Sequence, residues 1–132
     1  MPGTLLYLDS SAIVKLVVPE AETHALRELL RSWPERVSSV LSRVEVLRAA
    51  RRVSPSAARR ADAVVARLAL VDLDDDVIQR ASKLAPPELR TLDAIHLATA
   101  LSLSDDLGAL CVYDARLLSV AEAMGLRTLN PG

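Results

Sequence analysis

The sequence has too few of the residues on which several common protein classes depend. Its 132 residues include one cysteine, two histidines, four glycines and no phenylalanine. A single cysteine, Cys111, cannot form an internal disulfide, and so few sulfur and imidazole ligands exclude a zinc cluster. The four glycines form neither a phosphate-cradling loop nor a dinucleotide-binding motif. Tyr7, Trp33 and Tyr113 are too scattered to form the aromatic stacking platform of many single-strand binders.

Long apolar runs are also absent. No run reaches the roughly 18 residues that a membrane helix needs. The apolar stretch 4–18 contains Asp9 and Lys15 and is followed by Pro19, which does not fit a cleaved signal peptide. Because 51% of the residues are hydrophobic and the mean hydropathy is +0.25, we expect one globular domain over residues 1–132. We expect this domain to be cytoplasmic.

The net charge is −1, but the charged residues are unevenly distributed along the chain. Between residues 43 and 67 a basic stretch contains only two acids, Glu45 and Asp62, and has a local balance of +5. Its seven arginines are Arg43, Arg48, Arg51, Arg52, Arg59, Arg60 and Arg67. The stretch is either an ordinary solvated helical surface or a basic flank suited to a phosphodiester substrate.

Short apolar segments alternate with longer helical patterns along the whole chain. We predict strands at 4–8, 37–41, 69–73, 109–113 and 126–129. We predict helices at 10–18, 21–33, 42–53, 55–68, 74–84, 91–103 and 115–124. This alternation predicts an α/β fold with a central, mostly parallel sheet of about four to five short strands flanked by helices.

Four acids occupy positions where an α/β fold commonly places its active site. Asp9 and Asp114 each follow a predicted strand, and Glu45 lies in the first helical turn after another. In an open parallel sheet, sites form at the carboxyl ends of strands, where loops lead into helix N-termini. Asp93, in the first turn of its helix, joins them only if that helix begins at the same edge.

Each acid also has a purely structural interpretation. Asp9 and Asp114 could cap the helices that follow them. Ser42 and Glu45 fit a capping box, and Asp93 could complement a helix dipole. The structural interpretation weakens for the four together, because caps have no reason to gather at one edge of a sheet.

Gathered carboxylates would need a cation, because they would otherwise raise one another's pKa values. Mg²⁺ and Mn²⁺ are suited to such a site, since they prefer oxygen ligands and keep several waters. An ion held in this way can activate a water molecule for attack at phosphorus. Neither His24 nor His96 is expected to act as a general base, because water activated by a metal needs no histidine.

Four segments resemble the motifs of one family in the same order. Residues 8–16 (LDSSAIVKL) resemble the opening motif of PIN-domain proteins, and residues 42–46 (SRVEV) resemble the second. Residues 92–100 (LDAIHLATA) are similar to the third and most distinctive motif, and residues 112–117 (VYDARL) to the C-terminal one. The resemblance covers nearly the whole chain. The length of the chain is typical of a VapC-type toxin, the ribonuclease of a toxin–antitoxin pair.

The resemblance implies a three-layer PIN fold and a metal-dependent endoribonuclease. It implies that Asp9, Glu45, Asp93 and Asp114 surround Mg²⁺ or Mn²⁺, with Ser11 supporting the first aspartate. It also implies a homodimer and a VapB-like antitoxin lying across the helices of residues 21–68. Arg43 and Arg48, the arginines nearest Glu45 in sequence, are the expected RNA contacts. The family often has Ser or Thr where this chain has Val112, so we expect a hydroxyl contact near Asp114 to be missing.

Other interpretations remain open from the sequence alone. A phosphotransfer receiver domain also gathers aspartates at strand ends, but it needs a lysine after a late strand, and the only lysines here are Lys15 and Lys83. A PIN-like module could act through protein contacts without metal chemistry. A PIN nuclease could also serve RNA maturation or quality control.

Overall fold

The computed structural model describes residues 3–132 and shows one sheet of parallel strands covered by helices. The strands are β1 (Leu5–Leu8), β2 (Glu35–Ser39), β3 (Ala69–Val71), β4 (Leu107–Cys111) and β5 (Thr128–Leu129). The helices are α1 (Ser10–Val17), α2 (Thr23–Leu30), α3 (Leu41–Arg51), α4 (Pro55–Val65), α5 (Asp75–Lys83), α6 (Thr91–Ser102) and α7 (Ala115–Ala123). Helix α6, with 12 residues, is the longest of them, and none of these helices is long and apolar enough to cross a membrane.

The strand order β3-β2-β1-β4-β5 confirms the predicted α/β fold and places β1 in the middle. Side chains alternate between the two faces of a strand, so β1 contributes to two separate apolar clusters. Leu6 and Leu8 pack with α1, α2, α3 and α4, whereas Tyr7 packs with α6 and α7 on the other face. The result is the expected three-layer arrangement.

Two strands begin and end two residues earlier than the sequence predicts. The expected strand 37–41 is Glu35–Ser39, because Val40 has helical backbone angles and leads into α3. The expected strand 109–113 is Leu107–Cys111, although Val112 is fully buried. A run of apolar residues in the sequence indicates which residues are buried, not which are paired in the sheet. Here the buried residues continue past the last paired residue into the loop that leads to the next helix.

Candidate active site

The carboxyl ends of β1 and β4 lie side by side and lead to Asp9 and Asp114. Leu8 pairs with Cys111, and the Asp9 amide donates a 3.2 Å hydrogen bond to the Cys111 carbonyl. Both aspartates cap the helix that follows, Asp9 on α1 and Asp114 on α7. The structural interpretation is therefore correct for these two acids, but it does not exclude a second role at the same edge.

Asp9 is almost completely buried, with 4% of its surface exposed. Burial raises its pKa to about 6, although hydrogen bonds from Ser11 and Ala12 and the nearby His96 act in the opposite direction. Both hydrogen bonds reach Oδ1, at 2.7 Å from the Ser11 hydroxyl and 3.1 Å from the Ala12 amide. Between residues 3 and 132, no buried side-chain oxygen lacks a hydrogen-bond partner. Oδ2, which receives no bond from these residues, is therefore the oxygen that remains accessible.

The Ser11 hydroxyl connects the ends of β1 and β4. It donates to Asp9 and accepts hydrogen bonds from the amides of Tyr113 at 3.0 Å and Asp114 at 3.3 Å. Val112, where a hydroxyl residue was expected from the family pattern, is buried in the apolar cluster beneath α7. Ser11 thus provides the hydroxyl that contacts the Asp114 backbone.

Arg90 joins Asp93 to Asp114. Its Nε donates a 2.8 Å bond to Asp93 Oδ2, and one of its terminal nitrogens donates a 2.8 Å bond to Asp114 Oδ2. Burial raises the pKa of Asp114, but the Leu117 amide and Arg90 outweigh this effect and hold it below its ordinary value. Asp93 lies in the first turn of α6, which begins after Arg90 and has no side-chain cap. Helix α6 therefore does begin at the edge that carries Asp9 and Asp114.

Glu45 receives two donors on the same oxygen. The Ser10 hydroxyl lies 2.6 Å and His96 Nε2 lies 2.7 Å from Oε1. Burial raises the pKa of Glu45, but these two hydrogen bonds outweigh it, so the carboxylate is ionised more readily than usual. The capping-box interpretation is wrong, because Ser42 lies inside α3 and its hydroxyl contacts Ser38 at 2.7 Å.

Hydrogen bonds link three of the four acids to one another, and the fourth, Glu45, to the same helix as Asp93. Ser11 links Asp9 to the Asp114 backbone, Arg90 links Asp114 to Asp93, and His96, three residues after Asp93 on α6, reaches Glu45. A cleft of about 480 Å³ is lined by two of the acids, Glu45 and Asp114, and by Ser10, Ser11 and Tyr113, among others. We call this the carboxylate cleft. Within residues 3–132, no three acidic, histidine or cysteine side chains already form a set of metal ligands; each acid contacts the partners named above.

The two arginines expected to contact RNA lie elsewhere. Arg43 and Arg48 border a larger groove of about 840 Å³ between α3 and α4, together with Val44, Leu47 and other residues. Glu45 lies on a different face of α3, since it lines the carboxylate cleft. Arg43 and Arg48 therefore do not line the carboxylate cleft with Glu45, because proximity on a helix does not bring residues to the same face. Their contact with RNA stays a prediction.

Four residues of the site were not among the predicted site residues: Tyr7, Ser10, Arg90 and His96. Of these, only His96 was considered for catalysis, as a general base, and that role was not expected. Ser10 and His96 lie inside two of the motif segments, which is the only signal that could have identified them. Arg90 precedes the third motif and Tyr7 precedes the first, so neither carries a local signal. Their roles depend on contacts between residues that are distant along the chain.

Comparisons with known proteins identify the family of the chain. A family model described as a PIN domain matches residues 6–123. Over 126 residues the chain is 50% identical to Ribonuclease VapC46 of Mycobacterium tuberculosis, covering 96% of this chain and 97% of the relative. Over 132 residues it is 41% identical to Ribonuclease VapC35 of the same organism, covering 97% and 98%.

Two solved structures share the fold. A toxin–antitoxin complex from Klebsiella pneumoniae gives a TM-score of 0.74 at 19% identity and covers 96% of this chain and 98% of that one. VapC20 of Mycobacterium tuberculosis, a toxin that cleaves the sarcin–ricin loop, gives 0.76 at 18% identity and covers 96% and 99%. At such low identity these two matches bear on the fold alone.

Proposed function

The chain belongs to the PIN-domain family and, within it, to the VapC-type ribonuclease toxins, and we propose that it cleaves RNA in the carboxylate cleft with the help of Mg²⁺ or Mn²⁺. Residues 1–132 constitute one PIN domain in this proposal. VapC membership favours a toxin over an RNA-maturation enzyme or a binding module without catalysis.

The donor set supports a divalent cation. Its members are carboxylate oxygens, which Mg²⁺ and Mn²⁺ prefer. The observation that carries the proposal is the position of Asp9, a carboxylate that is almost completely buried at this edge of the sheet and keeps Oδ2 without a hydrogen bond from the described residues. Asp9 and Asp93 would hold the ion directly, with Glu45 and Asp114 completing its surroundings. When bound, the ion supplies an electrophile that activates water and neutralises charge on the phosphate.

The residues of the chain would orient the ligands and the substrate. Ser11 fixes the rotamer of Asp9 through the 2.7 Å bond to Oδ1, which directs Oδ2 toward the accessible side. Arg90, whose side chain is 53% exposed, provides a cation beside Asp114 that can contact an RNA phosphate. The proposal therefore transfers the phosphate contact from Arg43 and Arg48 to Arg90.

Cleavage of RNA by the purified chain tests the proposal. The protein, free of any partner, is incubated with total RNA with Mg²⁺, with Mn²⁺ and with EDTA, beside an Asp93→Asn variant that is folded by circular dichroism. We expect cleavage that requires the metal and is lost in the variant. Cleavage by the variant in EDTA at the wild-type rate would contradict the four-carboxylate site.

An antitoxin partner follows from membership of the VapC group, and the groove between α3 and α4 is our candidate for its docking surface. Val44 is 57% exposed there, and Arg43, Arg48 and Arg51 lie at its border. An apolar segment with acidic side chains would complement this surface. The groove lies within the helices of residues 21–68, across which the family resemblance implies that the antitoxin lies.

Charge reversal tests this docking surface. We expect Arg48→Glu to weaken binding of the antitoxin encoded beside the toxin gene by about tenfold or more, measured by calorimetry, while metal-dependent RNA cleavage is unchanged. Arg116→Glu, an exposed arginine on α7 away from the groove, is the matched control. Equal binding by both variants would exclude the groove as the docking surface.

We also propose that the protein is a cytoplasmic homodimer. Light scattering would test whether it is a dimer.

A further inference from the structure

A buried polar chain connects the central strand to Glu45. The Tyr7 hydroxyl lies 2.8 Å from His96 Nδ1, and His96 Nε2 lies 2.7 Å from Glu45 Oε1. Tyr7 is fully buried and His96 is 2% exposed. The two rings meet edge to face, with centroids 5.9 Å apart and an interplanar angle of 74°. Both side chains are therefore fixed by packing as well as by hydrogen bonds.

The carboxylate fixes the direction of the hydrogen bond between His96 and Glu45. The Glu45 carboxylate can only accept, so Nε2 of His96 carries the proton that it donates to Oε1. The Tyr7 hydroxyl donates to Nδ1 of a neutral imidazole and accepts from Nδ1 of an imidazolium, so Tyr7 holds the ring in either state. In both states His96 donates to Glu45.

This arrangement holds one oxygen of Glu45 and leaves the other accessible. Ser10 and His96 both donate to Oε1, and no donor among the described residues reaches Oε2. A glutamate has three rotatable side-chain bonds, so without these donors its carboxylate would sample several positions. Partners of this kind orient metal-ligating carboxylates in proteins and strengthen their binding.

The same histidine also relates two helices of the site. His96 follows Asp93 by three residues on α6, so both project from the same side of that helix. Glu45 belongs to α3 on the opposite side of the sheet, and the bond from His96 spans the edge between them. The bond therefore ties the helix that carries Asp93 to the helix that carries Glu45.

We propose that His96, held by Tyr7, is a positioning residue that directs the free oxygen of Glu45 into the carboxylate cleft. The inference rests on the proposed function, since it concerns how Glu45 serves the metal site. His96 acts through Glu45 and not as a general base.

Two substitutions at position 96 separate positioning from packing. In His96→Gln the side-chain amide nitrogen lies near the position of Nε2 and can still donate to Glu45. In His96→Asn the side-chain amide lies near the position of Nδ1 and can offer its oxygen to the Tyr7 hydroxyl, whereas Glu45 loses the donor that Nε2 supplied. Both variants keep a polar amide side chain, and thermal unfolding identifies the folded preparations.

The experiment measures Mn²⁺ affinity by electron paramagnetic resonance, together with kcat and KM on an RNA that the chain cleaves. We expect His96→Asn to weaken Mn²⁺ binding and lower kcat by about 10- to 100-fold, with little change in KM, and His96→Gln to recover most of both. In a Glu45→Gln background, His96→Asn should have no further effect on Mn²⁺ affinity, because the residue acts through Glu45.

The outcomes distinguish the two proposals. If Glu45→Gln weakens Mn²⁺ binding but folded His96→Asn matches His96→Gln, then His96 has only a structural role and the inference is wrong. An equal loss from His96→Asn in the wild-type and Glu45→Gln backgrounds would also overturn it. If neither Asp9→Asn nor Glu45→Gln changes Mn²⁺ affinity, the proposed metal site itself fails, and the inference fails with it.

Discussion

Asp9→Asn should abolish RNA cleavage and at the same time make the protein more stable. We expect a loss of about a thousandfold in rate, because a catalytic metal ion supplies several kcal/mol and 1.36 kcal/mol corresponds to a factor of ten. The fold should tolerate the change, since asparagine caps helices well and its oxygen can accept from Ser11 and Ala12. Cleavage assays and urea unfolding of the same preparations measure both effects.

The gain in stability follows from the pKa of Asp9. Burial raises this pKa from an ordinary value of 3.8 to about 6 in the folded protein. Between about pH 4 and 6 the folded state therefore binds more protons than the unfolded state, so stability falls as the pH rises through that window and stays lower above it. The difference of about two pKa units corresponds to about 3 kcal/mol. In Asp9→Asn this decline should be absent, giving a gain of about 1–3 kcal/mol at pH 7.5.

Asp105→Asn, at an exposed position before β4, is the matched control and should change neither activity nor the pH dependence. A divalent cation should stabilise the wild-type protein at pH 7.5 and not Asp9→Asn, because binding to the folded state shifts the unfolding equilibrium. Retention of activity within tenfold in Asp9→Asn would remove this residue from the proposed site. If Asp9→Asn is less stable than the wild-type protein at pH 7.5, then the cost of burying the Asp9 charge does not dominate the effect of the substitution.

Ser11→Ala should damage both the site and the fold. The Asp9 carboxylate loses its 2.7 Å donor, and the amides of Tyr113 and Asp114 lose their acceptor. Leaving such groups without partners costs about 1–3 kcal/mol. We expect activity to fall by about 10- to 100-fold, the usual effect of removing a residue that orients a metal ligand.

Ser11→Thr keeps the hydroxyl and should recover most of the activity, and Ser119→Ala, on the exposed surface of α7, controls for the loss of a helical serine. The pKa of Asp9 should rise further in Ser11→Ala, since the Ser11 hydrogen bond lowers it. Titration by carbon-13 NMR of the aspartate carboxyls measures that shift. An unchanged pKa together with full activity would exclude the connecting role of Ser11.

Local patterns were sufficient to select the four acids as candidates, and their roles at the site stay a prediction. Asp9 and Asp114 follow apolar runs that could be read as strands, and the third motif drew attention to Asp93. The predicted alternation of strands and helices was confirmed because the spacing of apolar residues within one element reflects which face is buried. Strand ends were less accurate, as at Val40 and Val112, because burial extends beyond backbone pairing.

Contacts between distant segments could not be predicted in this way. Tyr7 and His96 are 89 residues apart, and Glu45 and His96 are 51 residues apart. No spacing rule connects such positions, because their proximity depends on how α3 and α6 pack at the edge of the sheet. Arg43 shows the converse. It lies two residues from Glu45 in the sequence, but it lines the groove on another face of the same helix.

The sequence by itself determined the α/β class and the order of the elements, and it was enough to propose the four acids, since each depends on residue types a few positions apart. Only the tertiary structure decided that Asp9 is buried with a raised pKa, that Arg90 joins Asp93 to Asp114, and which oxygen of Glu45 remains free. The physical reason is that burial and long-range hydrogen bonds arise when separate segments pack together. Local spacing determines which segments can pack, and their packing determines the chemistry of the side chains that meet.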